Sequence, residues 1–367
     1  MDVYEQYGIK RVINASGKMT ILGGSRVSEE VASAMNQGAE NFFLIADLQA
    51  HVEAYLKDLL GVPGVRIVAS ASSGIAQCVG AVIAQDRLAA VLDPYCCQAK
   101  RREIVIPKGH VVNYGAPISL PIGMGGGIVV EAGYANECTQ EEVAHVINEN
   151  TAALLYVKSH HCVQKSMLSI EEMVALAKQY HLPLIIDAAA EESLTDYIAL
   201  GADAVIYSGT KALGGPTSGL VIAREPLLSH LKLQAKGLGR VMKVGKESIL
   251  GLAQAVQSYI GRPSQSLEKQ RERLTAFHEK VQQFPGVEVK AVQDDAGRKI
   301  VRSQIHLDRR YDARKIAAQL KQGDPMIFTR DYRLNMNILE IDIRDVSDCE
   351  LEIIGQRLGE IIRAENG

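Results

Sequence analysis

Two hydrophobic rhythms divide this chain, one suited to a layered α/β fold and one to a smaller α+β fold. Short apolar runs near residues 65–69, 89–92, 104–106, 127–130, 152–157, 184–186 and 204–207 are too brief for helices and suit buried strands. Between them, stretches near 28–35, 46–60, 75–84, 139–148, 169–180 and 247–260 carry the 3.6-residue period of helices. Thr139 with Glu142 and Ser169 with Glu172 have the spacing of capping boxes and mark two helix starts. Alternating strand and helix patterns predict a parallel sheet, with the run at 219–223 returning antiparallel. A long amphipathic helix over 266–284 follows Gly261-Arg262-Pro263, and the remainder reads β-β-α-β-β-α. The expected division is an N-terminal arm and helix over 1–45, a large α/β domain over 46–262, and a small α+β domain over 263–367.

The most informative stretch is 182–219, LPLIIDAAAEESLTDYIALGADAVIYSGTKALGGPTSG. Its two apolar runs end in Asp187 and in Ser208-Gly209-Thr210-Lys211. Functional groups of an open α/β sheet gather beyond the carboxyl ends of its strands. A carboxylate and a lysine therefore reach one rim. A lysine can form a Schiff base with pyridoxal phosphate, while an acid keeps the pyridine nitrogen protonated. Glycines crowd around Lys211 at 209, 214, 215 and 219, which a solvated lysine does not need.

Composition narrows the field. The 367 residues are 47% hydrophobic, with a formal net charge of −3, so no global basic field points to nucleic acid. No apolar run reaches membrane-spanning length and no signal-peptide core opens the chain, so a cytoplasmic protein is expected. Cysteines 78, 96, 97, 138, 162 and 349 lack zinc-ligand spacing, and the adjacent His160 and His161 point to opposite faces of an extended chain; no metal is expected.

Other candidates follow in chain order. Ser72, Ser73 and Gly74 lie between a strand and a helix, where free N–H groups and the helix dipole hold anions. The glycine-rich connection 109–127 reads as a 19-residue loop without regular structure and contains His110 and Tyr114. Ser159 and His160 end another strand and suit substrate contact. Arg240, Lys243 and Lys246 form a basic segment that reads either as a solvated loop or as a phosphate-facing patch. Arg330 and Arg344 end strands of the small domain, and arginine is a natural bidentate partner for carboxylate or phosphate.

SGTKALGGPTSG, with Asp187 upstream, resembles the fold-type I pyridoxal phosphate enzymes, and most closely the family of selenocysteine synthase and the amino-sugar-acid ammonia-lyases. The resemblance runs from Arg11-Val12-Ile13-Asn14 to about Gly261, and more loosely beyond. It implies an aspartate-aminotransferase-like large domain with a mainly parallel sheet, and pyridoxal 5'-phosphate held by Lys211. Asp187 would then pair with the pyridinium, and Ser72, Ser73 and Gly74 would hold the phosphate beside Ser208 and Thr210. A ring over the pyridine is implied as well, His110 first and Tyr114 second, with Arg344 on a substrate carboxylate. The resemblance further implies α,β-elimination from an anionic amino acid or phosphorylated 2-amino sugar acid, in a homodimer or larger homo-oligomer. A transferase acting on seryl-tRNA is the alternative, disfavoured by the net charge and by a chain that begins almost at the arm. A scaffold that binds pyridoxal phosphate without catalysis is the other.

Overall fold

The computed structural model describes residues 2–95, 99–159, 161–262, 266–294 and 299–366. Its strands are β1 (Val12–Ala15), β2 (Val65–Val68), β3 (Glu103–Pro107), β4 (Ile128–Ala132), β5 (Thr151–Val157), β6 (Leu184–Asp187), β7 (Ala204–Ser208), β8 (Gly219–Ala223), β9 (Val287–Gln293), β10 (Val301–Leu307), β11 (Met326–Thr329) and β12 (Ile338–Asp342). The chain forms two compact units, residues 27–261 and residues 1–26 with 262–367. Among the described residues, no helix is long and apolar enough to cross a membrane.

The larger unit holds a seven-stranded sheet in the order β2-β8-β7-β6-β5-β3-β4. Strands β4, β3, β5, β6 and β7 run parallel, and β8 returns antiparallel between β7 and β2. Alternate residues feed two cores, as strand pleating requires. Leu154, Tyr156, Leu184, Ile186, Val205 and Tyr207 pack on one face; Leu155, Val157, Ile185, Ala204 and Ile206 pack on the other. Helix Ala71–Ala84 covers the second face and is buried along most of its length. At the β2 edge, two side chains of helix Ile45–Leu60 satisfy the strand. Glu53 accepts the Ile67 N–H at 2.9 Å, and Gln49 donates to the Ile67 carbonyl at 2.8 Å.

In the smaller unit, β9, β10 and β12 form an antiparallel sheet in the order β12-β10-β9. The expected strand at 325–329 exists as β11, but it pairs in parallel with β1. Ile13 and Ala15 of β1 are buried in this unit's core with Leu274, Ile316 and Leu358, which is why the N-terminal stretch joins it.

Three sequence expectations change. Residues 89–92 belong to a short helix, Leu88–Leu92, rather than a strand; LAAVL is alanine-rich and alanine favours helix. The connection 109–127 is not structureless, since a 3-10 turn occupies Lys108–His110 and a helix Ser119–Met124. Pro121 is tolerated there because it sits in the first helical turn, where its missing N–H has no partner to lose. The helix expected to open at 75 opens at Ala71, capped by Ser70, so the serines assigned to a loop are helical.

Candidate active site

Buried strand β6 delivers Asp187 to the carboxyl rim of the sheet. Its Oδ1 accepts the Ala189 N–H at 3.1 Å. Burial pushes the Asp187 carboxyl above its ordinary value, against the pull of the Lys211 charge and the Ala189 N–H. A buried acid with a cation in electrostatic reach can be matched by a further positive group.

Strand β7 ends at Ser208, and the chain turns back at once. Gly209 donates to the Ser218 carbonyl at 2.8 Å, Gly215 to the Gly209 carbonyl at 2.7 Å, and Gly214 to the Lys211 carbonyl at 3.2 Å. A methyl group on Gly209 would collide with the Ser218 hydroxyl and the Pro216 carbonyl, so glycine lets the loop close. The closed loop presents half-buried Lys211 at the same rim, with the Ser208 and Thr210 hydroxyls 3.2 Å apart beside it.

At the start of helix Ala71–Ala84 the three expected residues take different parts. Ser73 gives its N–H to Ser70 Oγ at 3.1 Å, while its hydroxyl accepts the Ser70 N–H at 2.9 Å and donates to the Ser70 carbonyl at 2.8 Å. Its polar groups thus close the helix cap. The Gly74 N–H bonds the Ser70 carbonyl, and its bare face lies against Ile206 and Val221, where a Cβ would come within 3.0 and 3.2 Å. Glycine lets the helix sit on the sheet. Ser72 alone directs its hydroxyl elsewhere, donating to the Tyr114 hydroxyl at 3.0 Å.

His110 also departs from expectation. The paired register between β3 and β5 ends at Val105 and Leu154. Fully buried His110 lies nearby, its Nδ1 taking the Val157 N–H at 3.4 Å and its ring edge-on to Tyr156 with centroids 4.5 Å apart. Burial pushes the imidazole down to about 4, keeping it neutral. A ring with no exposed face serves as a wedge rather than a lid; half-buried Tyr114 is the ring from this connection that reaches Ser72.

Ser159 builds its own turn, its Oγ accepting the His161 N–H at 3.2 Å and its carbonyl the Gln164 amide at 2.9 Å. His160 lies outside the described residues. Arg240 and Lys243 are exposed. The Lys246 Nζ donates to the Ala39 and Asn41 carbonyls, each at 2.6 Å, at the end of helix Glu29–Glu40. A cation there complements the helix dipole.

Arg330 and Arg344 belong to the smaller unit. Arg344 forks onto Asp342, Nε to Oδ1 at 2.9 Å and a terminal nitrogen to Oδ2 at 2.8 Å. Arg330 lies 3.6 Å from Glu340 and over the Tyr332 ring. Both guanidinium groups are thus engaged by carboxylates of their own unit.

Sequence reasoning missed Ser70 and Cys162. Ser70 and Ser73 carry a capping pattern that was there to be read. Buried Cys162 has its thiol pushed up to about 12 by burial, with the Asp187 charge adding to it; no pattern in the sequence announces this.

A mostly parallel sheet with an acid and a lysine on its carboxyl rim, beside a helix start, defines a fold-type I pyridoxal phosphate enzyme. Residues 12–295 match the family model described as SelA, L-seryl-tRNA selenium transferase, and the chain belongs to that family. The D-glucosaminate-6-phosphate ammonia lyase of Salmonella typhimurium (strain 14028s / SGSC 2262) is 41% identical, over 98% of each chain. The 5'-C-glycyluridine monooxygenase-decarboxylase of a Streptomyces species is 36% identical, over 99% of this chain and 93% of its own. A solved D-glucosaminate-6-phosphate ammonia-lyase superposes with a TM-score of 0.93 at 40% identity, covering all of both chains.

Proposed function

We propose that the protein is a pyridoxal-phosphate-dependent ammonia-lyase acting on a phosphorylated 2-amino sugar acid of the D-glucosaminate 6-phosphate kind. Water is eliminated across C2 and C3. The enamine left behind then takes up water and releases ammonia, giving a 2-keto-3-deoxy acid phosphate. The observation that carries this reading is the full-length 41% likeness to a lyase of that activity.

The residues fit the cofactor. Asp187 is a buried acid whose raised pKa calls for a cationic partner, and a protonated pyridine nitrogen is one. Lys211 would hold the cofactor through its ε-amine, and once the substrate amine has displaced it the freed lysine would take the proton from C2. The Ala71 and Ser72 N–H groups at the start of helix Ala71–Ala84 would receive the phosphate. Bound there, pyridoxal phosphate supplies the electron sink for the carbanion at C2. Ser208 and Thr210 stand close to the lysine in sequence, their hydroxyls bonded to each other at 3.2 Å.

The reading includes a cytoplasmic homo-oligomer. Phe42, Leu44 and Val241 of the larger unit are 99%, 76% and 82% exposed, an apolar display that a second copy would cover.

The test is keto-acid and ammonia release from D-glucosaminate with and without its 6-phosphate. Release from the phosphate ester alone is expected, and equal rates at sub-saturating concentration would remove the phosphorylated substrate. Oxygen uptake with loss of carbon dioxide from 5'-C-glycyluridine would move the protein toward its 36%-identical relative. Turnover only with seryl-tRNA and a selenium donor would make it a selenium transferase.

A further inference from the structure

We propose that Tyr114 is a cofactor-positioning residue, joined through Ser72 to the start of helix Ala71–Ala84, so that turn and helix hold the phosphate end of the cofactor as one piece. This rests on the pyridoxal phosphate reading above.

The turn that carries Tyr114 is well fixed. Asn113 and Pro117 bridge across it, the Ile118 N–H reaches the Val112 carbonyl at 3.0 Å, and the Tyr114 N–H reaches the Ala116 carbonyl at 3.2 Å. Asn113 Oδ1 also takes the Gly115 N–H at 2.9 Å, the local bond that makes asparagine a turn former. The ring packs on the same core that supports helix Ala71–Ala84 and the rim strands. Backbone geometry therefore sets where the phenol stands.

The hydroxyl then accepts from Ser72 Oγ at 3.0 Å. A phenol can accept one hydrogen bond and donate another, so its own proton remains for an anionic oxygen. At the same end of the helix the Ser73 and Gly74 N–H groups are taken by Ser70, which leaves those of Ala71 and Ser72, first-turn positions without an intrahelical acceptor. The Ser72 bond thus sets the phenol beside the first turn of the helix, where its proton would add to the two N–H groups in receiving a phosphate. Burial pushes the phenol above its ordinary value, the Ser72 bond opposes this, and the Asp187 charge adds to it, so the proton stays on. His110, with no exposed face, leaves the role of covering the pyridine open.

The test is equilibrium titration of the apo protein with pyridoxal phosphate, followed by absorbance and intrinsic fluorescence. Tyr114→Phe and Ser72→Ala should each raise the cofactor Kd roughly 2- to 10-fold, the range of one hydrogen bond. The double variant should be no worse than either single one, because the two hydroxyls act as a unit. Tyr114→Ala should lose about tenfold or more, since the ring goes too. Apo melting temperatures of the Phe and Ser72→Ala variants should stay with wild type, which separates positioning from folding. An unchanged Kd in Tyr114→Phe, or effects that multiply in the double variant, would overturn the proposal. If the wild-type protein takes up no pyridoxal phosphate, the functional reading fails with it. If Tyr114→Ala does not fold, the isosteric Phe variant decides.

Discussion

Asp187 and Asp342 are both buried aspartates at the carboxyl ends of strands, yet they stand in opposite electrostatic states. Burial holds Asp187 above its ordinary pKa against the pull of the Lys211 charge, and the hydrogen bond its carboxylate accepts is from the Ala189 N–H. At Asp342 burial pulls in the same direction but loses. Arg344 takes both carboxylate oxygens, and Arg302, itself paired with Asp294, approaches at 3.2 Å, so its pKa falls well below the usual range. A buried carboxylate with its counter-charges present is part of a scaffold. One left short of them stores an unmet demand, and a ligand can supply what is missing.

The largest expected effect is at the partner of the unmet acid. Lys211→Ala should remove the visible cofactor band and lower turnover by roughly 10²–10⁴-fold or more, since holding amine and base go together. A borohydride-stable adduct on another lysine, with turnover retained, would end the assignment. Asp187→Asn should still take up cofactor but lose about 10²–10³ in turnover, because a neutral amide cannot stabilise a protonated ring. Wild-type rates in that variant would mean another acid serves the pyridine.

Asp342→Asn should show the opposite profile, with stability as the main casualty. Removing one partner strands Arg302 and Arg344, at a cost of about 3–5 kcal/mol, measurable by denaturant unfolding. The pH dependences should also diverge. Asp342, depressed in the fold, gives stability that is complete above the unfolded value near 4 and lost as pH falls through its folded value. Asp187, raised in the fold, gives the apo protein stability present below about pH 4 and lost as pH rises through its folded value. Asp187→Asn should flatten that decline in an apo melting series, and an unchanged slope would mean the carboxyl is not raised. The smallest effect belongs to a cation outside the comparison. Lys246→Ala should cost about 0.5–1 kcal/mol through the end of helix Glu29–Glu40 and leave substrate affinity alone.

The same contrast shows what the sequence could and could not convey. Asp187 and Lys211 were legible because short apolar runs fix strand ends, and strand ends fix a rim. That His110 lies fully buried was not, since the local pattern around a single ring does not tell a packed one from one open to a ligand. Ser72 and Ser73 are adjacent and chemically alike; only the turn of the helix decides which one caps it and which one faces Tyr114. Arg344 was legible as a strand-end cation, but not as Asp342's partner, because Asp-x-Arg does not state which way either side chain turns. The pairing of β1 with β11 joins residues more than 300 positions apart, beyond the reach of local pattern.

The side chains that close the β2 edge carry a consequence for handling the protein. Ile67 presents an amide and a carbonyl on the outer side of the sheet, and Glu53 and Gln49 occupy both. Without those two side chains the strand would offer a template on which another chain could add itself, the first step of ordered aggregation. Glu53 and Gln49 thus act as built-in guards of colloidal shelf life. Their loss would be noticed in a cloudy tube after storage before it was noticed in an assay.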